Sequence, residues 1–205
     1  MALIYDISKP FPHTLEFNGR KLEITLYYDR VISFFSLFED KNSGLSDTEK
    51  LEIGFSWFFK QPFGRFSSVE KLGAMQMLLD RYINFRKTDE TDSENVLSFT
   101  QDSLYIYGSF MVAYGMDLFA EQGRLHWWKF IALFEALPDE SKIKQVMSIR
   151  AREIPKPDGH NQELIKQIVE QKRYYALEVP QDELKKRADS ALKKLFDILS
   201  AKAGD

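Results

Sequence analysis

Hydrophobic and polar positions alternate in only one part of this chain, "TLEFNGRKLEITL". Leu15 and Phe17 alternate with polar neighbours, and Leu22 and Ile24 do so on the return. Asn18-Gly19 between them supplies the two positive-φ positions of a tight type I′ turn. The pattern predicts a two-stranded hairpin. Alone it would be marginal, so it must pack on something else.

From about Tyr28 the period lengthens to that of a helix. Val31, Phe34, Phe35 and Phe38 follow i, i+3, i+4, i+7 spacing up to Asn42-Ser43-Gly44. Ser46 and Glu49 form a capping-box signature ahead of Leu51, Phe55, Phe58 and Phe59, and that helix ends before Pro62. Ser67 and Glu70 repeat the signature ahead of Leu72, Met75, Leu79, Tyr82 and Ile83. The hairpin and these three helices occupy 1–86. The stretch 87–98, "KTDETDSENVLS", is polar and acidic up to Val96 and predicts a solvated linker.

A second helical block spans 99–177. "SLYIYGSFMVAY" predicts a helix from about Gln101, ended by Gly115. "RLHWWKFIALFEAL" predicts a helix closed by Pro138, and "DESKIKQVMSIRARE" one closed by Pro155. "QELIKQIVEQKRYYAL" predicts a further helix. The remainder, 178–205, predicts a long amphipathic helix. Its apolar stripe is Leu184, Ala188, Ala191, Leu195, Ile198 and Leu199, set among Lys185, Lys186, Arg187, Lys193 and Lys194. Such a stripe either docks on its own domain or seeks another chain, and it is the expected partner-binding surface. The fold class expected is mainly α, with an N-terminal hairpin and about seven helices in two small blocks.

Composition narrows the chemistry. With 205 residues, 44% hydrophobic and 29% charged, the chain has the balance of a globular protein. It holds no cysteine, which excludes disulfides, thiol catalysis and cysteine-ligated zinc. A net charge of −3 argues against a protein that grips a phosphate backbone. The N-terminus is too short and too interrupted by prolines for a signal peptide, and no apolar run approaches a membrane span. A soluble, intracellular protein is expected.

Candidate sites are few. "LHWWKF" sets His126 beside two of the three tryptophans. On a helix the two indole rings turn about 100° apart, so they cannot form one stacking platform. The segment is expected to be a structural hub made of His126, Trp127, Trp128, Phe130 and Phe134. The aromatics of "FFKQPFGRF" are expected to fold back on the core, leaving Lys60 and Arg65 in solvent. Lys142, Lys144, Arg150 and Arg152 read as a solvated or ion-paired face. His13, His126 and His160 have no partner at i+3 or i+4, and no phosphate-binding glycine loop or nucleophile elbow is present. No catalytic residue, metal or cofactor is expected.

The phrases "NGRKLEI", "YYDRVISFFSLFED", "QDSLYIYGSFMVAYGMDL" and "LHWWKF" through "LPDESK" occur here in that order. Over roughly residues 1–177 the chain resembles the bacteriophage gp-fifteen family of siphophage tail modules in Gram-positive hosts. The resemblance implies a non-catalytic tail assembly chaperone. Such a protein would coat the tape measure protein, or bind the tail tube protein, and release it as the tube polymerises. Self-association is an open possibility, and neither membrane nor nucleic acid is expected as a partner. The alternatives are a structural tail or connector component kept in the virion, and a small helical nucleic-acid-binding regulator or enzyme.

Overall fold

The computed structural model describes residues 7–39, 43–60, 66–83 and 96–178. The stripe Leu184–Leu199 and most of the acidic linker lie outside them. Strands β1 (Thr14–Phe17) and β2 (Arg20–Glu23) pair antiparallel, with Leu15 opposite Leu22 and Phe17 opposite Arg20. Asn18 and Gly19 take positive φ at the turn, as the sequence requires. Helices α1 (Tyr28–Glu39), α2 (Asp47–Phe58) and α3 (Ser68–Leu78) follow. Then come α4 (Ser103–Tyr114), α5 (Trp127–Glu135), α6 (Lys142–Ala151) and α7 (Gln162–Tyr174). The chain is mainly α.

Both capping boxes form. Ser46 accepts from the Glu49 N–H while the Glu49 carboxylate accepts from the Ser46 N–H, and Ser67 and Glu70 do the same. Each closes orphan donors at a helix start. The hydrogen bonds from the cap serine, backbone first and hydroxyl second, hold both glutamates below the usual carboxylate range.

The alternation Leu22, Ile24, Leu26 continues past β2, and the backbone there joins the molecule together. Ile24 N–H donates to His13 O, Thr25 N–H to Phe58 O, and Lys60 N–H to Glu23 O. Two residues later the same strand meets the α5 entry: Trp127 N–H donates to Leu26 O at 2.7 Å and Tyr28 N–H to Leu125 O at 3.0 Å. The Tyr28 hydroxyl donates to Leu118 O, and the Asp29 carboxylate accepts from Gly123 N–H. Burial is the main reason the Tyr28 phenol is pushed up to about 12, with the charges of Asp29, Glu121 and Asp117 adding to it. Residues on both sides of 84–95 contribute to one hydrophobic cluster, running from Leu15 to Ile143.

Close approach is needed at one glycine. A Cβ on Gly54 would stand 2.6 Å from the Phe34 ring, so α2 lies on α1 through a position that no larger residue fits without displacing that ring. Phe58 and Phe59 are buried in the core, as expected for the end of this helix, whereas Phe63 and Arg65 lie outside the described residues.

The expected helix from Arg124 begins later. Leu125 lies in a bend, His126 is extended and bridges Tyr27, and α5 starts at Trp127 with His126 as its N-cap. The extended chain after β2 takes up the Leu125 carbonyl and the Trp127 N–H, and this outweighs the helical pattern. Leu125 therefore does not share a helix face with Trp128. On α5 itself, Lys129, Ala132 and Glu135 face solvent.

Candidate docking face and the groups that hold it

Of the five expected hub residues, Trp127, Phe130 and Phe134 share one aromatic cluster, while His126 and Trp128 pack together on another side. Phe130 stacks on Tyr28 (4.9 Å between ring centroids), Phe110 (5.2 Å) and Trp127 (5.6 Å). Phe99 meets Trp127, Phe130 and Phe134. Trp128 turns the other way, and its indole N–H donates to Tyr82 O at 2.8 Å. That carbonyl lies in the π-helical turn Leu79–Ile83 that ends α3, where the last carbonyls of a helix lack partners of their own.

His126 has two jobs. Its Nδ1 accepts the Trp128 N–H at 3.1 Å, capping α5, and its ring stacks on Phe11 at 4.3 Å. Histidine is not among the usual N-cap residues, which is why the pattern of residues does not reveal the role. The neutral ring carries its proton on Nε2, which is buried without a hydrogen-bond partner among the described residues. Burial, and secondarily Lys129, pushes the imidazole down to about 4. Between its unfolded value near 6.5 and about 4 the unfolded chain therefore binds a proton that the folded chain does not. Stability should fall as pH drops through that window. His126→Asn keeps an acceptor at the cap and removes the titration. The urea midpoint of the wild type should fall between pH 7 and pH 5, and that of the variant should fall less. Parallel curves would remove His126 as the cause.

A second polar group sits between α4, α6 and the end of the described chain. Arg150 donates to both oxygens of Asp102, at 2.6 and 2.8 Å. It also donates to Tyr175 O and Val96 O, and Asp102 accepts the Ser98 N–H. Both side chains are buried. The cationic face expected around Arg150 is thus divided: Arg150 is ion-paired inside, while Arg152 is exposed and Lys142 lies over the Tyr175 ring. Beside this pair, the Ser109 hydroxyl of α4 accepts Ile143 N–H and so serves the start of α6 from a neighbouring helix.

These groups fix α4 on one side, through Ile106, Ser109 and Phe110. Its other side is the feature that sequence patterning does not separate. No residue from Ser103 to Met116 is charged, so the helix is apolar all round, a composition typical of a helix with neighbours on every side. Yet Leu104 is 77% exposed and Val112 89% exposed, with Met111 beside them and Phe119 67% exposed just beyond the helix end. Leu104, Gly108 and Met111 follow i, i+4, i+7 spacing along the centre of this open face, and Gly115 closes the helix in the left-handed conformation. A Cβ at Gly108 would meet nothing within 4 Å. A mid-helix glycine costs about 0.5–1 kcal/mol relative to alanine, and no contact among the described residues explains that cost. A contiguous apolar face of this kind on a folded surface marks an interaction site.

Other surfaces offer less. The cleft lined by Ile32, Ser33, Ser36, Leu37, Trp57 and Thr100 contains no titratable group. Among the described residues no three of His, Asp and Glu converge as metal ligands, and no helix is long and apolar enough to cross a membrane.

No curated protein and no solved structure matches the chain. A family model described as Bacteriophage Gp15 protein matches residues 7–177, from the chain before the hairpin to the turn after α7. With the hairpin, α4, the α5 hub and the Asp102–Arg150 pair all inside that match, the chain belongs to the Bacteriophage Gp15 protein family.

Proposed function

We propose that this phage protein is a non-catalytic tail assembly chaperone. It acts in the host cytoplasm and binds the tape measure protein, the tail tube protein or both through the open face of α4. The observation that supports this reading most is the uncharged helix Ser103–Tyr114 with Leu104, Met111 and Val112 in solvent. A long, coiled-coil-prone partner presents apolar helical stripes. An uncharged helix face with a glycine at its centre accepts such a stripe by ridge-into-groove packing. The family match supports a role in the phage particle or its assembly.

The test is capture of the co-expressed tape measure and tube proteins by the tagged full chain. Leu104→Asp combined with Val112→Asp should reduce capture at least tenfold, because each places a charge at the centre of the contact. Both side chains are already in solvent, so the melting temperature should move little. Undiminished capture by this variant would remove α4 from the interface. Mass spectrometry of purified particles should find the protein absent or scarce; stoichiometric retention would make it a structural component instead.

A further inference from the structure

The hairpin presents backbone groups that nothing among the described residues takes up. In a hairpin closed by a two-residue turn, the residues flanking the turn exchange both bonds, and so does every second pair behind them. Phe17 with Arg20, Leu15 with Leu22 and His13 with Ile24 are therefore the bonded pairs, and Ile24 N–H does donate to His13 O at 2.9 Å. The residues between them turn N–H and C=O outward. On the β2 side these are Lys21, Glu23 and Thr25, and on the β1 side Thr14 and Glu16.

The two edges differ. On the β2 side Glu23 O accepts Lys60 N–H and Thr25 N–H donates to Phe58 O, so the end of α2 closes that edge. On the β1 side no further strand pairs among the described residues. Thr14 O accepts the Tyr82 hydroxyl at 3.4 Å, which sets the π-helical turn Leu79–Ile83 alongside the edge. Thr14 N–H and both backbone groups of Glu16 are left without a backbone partner among the described residues. They border a cleft of about 500 Å³, lined by Thr14, Glu16, Gly19, Lys21, Arg81 and Tyr82. An open strand edge is a template for an extended chain, and a cleft beside it gives such a chain a second wall.

Charge narrows the occupant. Lys21 stands directly opposite Glu16 in the hairpin, so these two balance and Arg81 is the surplus charge of the cleft. Lys21 and Arg81 are both exposed, and neither forms an ion pair among the described residues. The Arg81 guanidinium lies over the buried Tyr82 ring at 5.6 Å, which keeps it at the cleft wall. A carboxylate brought beside it is favoured, and a second cation is repelled.

We propose that the cleft between β1 and the turn Leu79–Ile83 binds an extended acidic peptide segment of another protein. The segment adds to β1 at Glu16 as a further strand and sets a carboxylate against Arg81. The cleft shares no residue with the open face of α4. The chain then has two separate docking modes, a helix on α4 and a strand on β1.

The test is amide exchange followed by NMR on the full chain. The probe is a short capped peptide in which valine alternates with glutamate, and the control has lysine in place of glutamate. At saturating probe, exchange of the Glu16 N–H should slow by about tenfold or more, because a strand partner covers it. Arg81→Glu should weaken probe binding about tenfold by setting like charges together. Its side chain is in solvent, so the melting temperature should move little. Absence of probe binding would overturn the proposal. Binding that leaves Glu16 exchange unchanged would overturn it too, as a charge contact without strand pairing. Equal binding of the lysine peptide, or undiminished binding to Arg81→Glu, would remove the acidic occupant. None of these results depends on capture through α4, so either reading can fail while the other stands.

Discussion

Replacing Arg150 with Met is expected to lower the unfolding free energy by about 3–5 kcal/mol. Removing the guanidinium leaves the Asp102 carboxylate buried with one N–H donor, that of Ser98, among its described bonds. An uncompensated buried charge costs far more than the favourable interaction it has lost, because its desolvation is no longer offset. Two carbonyls, Tyr175 O and Val96 O, lose a donor at the same time. In a chain of this size the melting temperature should fall by about 2–4 °C for each kcal/mol. Adding Asp102→Leu to the Arg150→Met background should recover much of the loss, since replacing both members of a buried pair by apolar groups is often near neutral. Recovery should be incomplete, because the Ser98 N–H and the two carbonyls stay unserved. A single substitution costing under about 1 kcal/mol by urea denaturation would show that the pair is hydrated and adds little. A full loss should also free the Tyr175–Glu178 end, where the Gln101 side chain bonds Glu178 N–H and O.

This pair also marks the limit of what could be read without the fold. The two residues are 48 apart, one at the N-cap of α4 and one in α6, and neither belongs to a motif. The arginine was legible only as part of a cationic stretch with two outcomes, solvated or paired. Local signals fared better. Asn18-Gly19 fixed its turn and the Ser46 and Ser67 boxes fixed their helix starts, because each bond there joins residues three or fewer apart. The α5 boundary was not legible for the opposite reason. Leu125 and His126 fit a helical pattern, but the chain after β2 bonds the Leu125 carbonyl and the Trp127 N–H on either side of His126, and that segment comes from a hundred residues earlier. The open face of α4 was hidden because it is apolar like its buried face. A period can reveal a helix only where its two sides differ, and from Ser103 to Tyr114 they do not. The stripe Leu184–Leu199, the expected partner surface, lies outside the described residues.

Phe130→Ala is expected to cost about 3–5 kcal/mol, chiefly through the cavity it leaves. Phe130 is fully buried, and its ring is shared by the α1, α4 and α5 contributions to the core through Tyr28, Phe110 and Trp127. Those neighbours are held in place by backbone bonds at Tyr28 and Trp127, so the site cannot readily collapse, and a rigid cavity wall puts the cost at the upper end. The two tryptophans allow a finer comparison. Trp127→Phe removes an indole N–H that has no partner among the described residues, so it should cost only the packing difference. Trp128→Phe removes the donor to Tyr82 O and leaves that buried carbonyl unserved, adding about 1–3 kcal/mol. The expected order of loss in urea denaturation is therefore Phe130→Ala, then Trp128→Phe, then Trp127→Phe. If Phe130→Ala proved milder than Trp127→Phe, the core would be organised around the indole ring, and α4 would be held chiefly by Arg150 and Ser109. If all three left the midpoint unchanged while capture of the tape measure protein was lost, the cluster would be a contact surface. The hydrogen bonds that bury it in the folded chain would then have to open for binding.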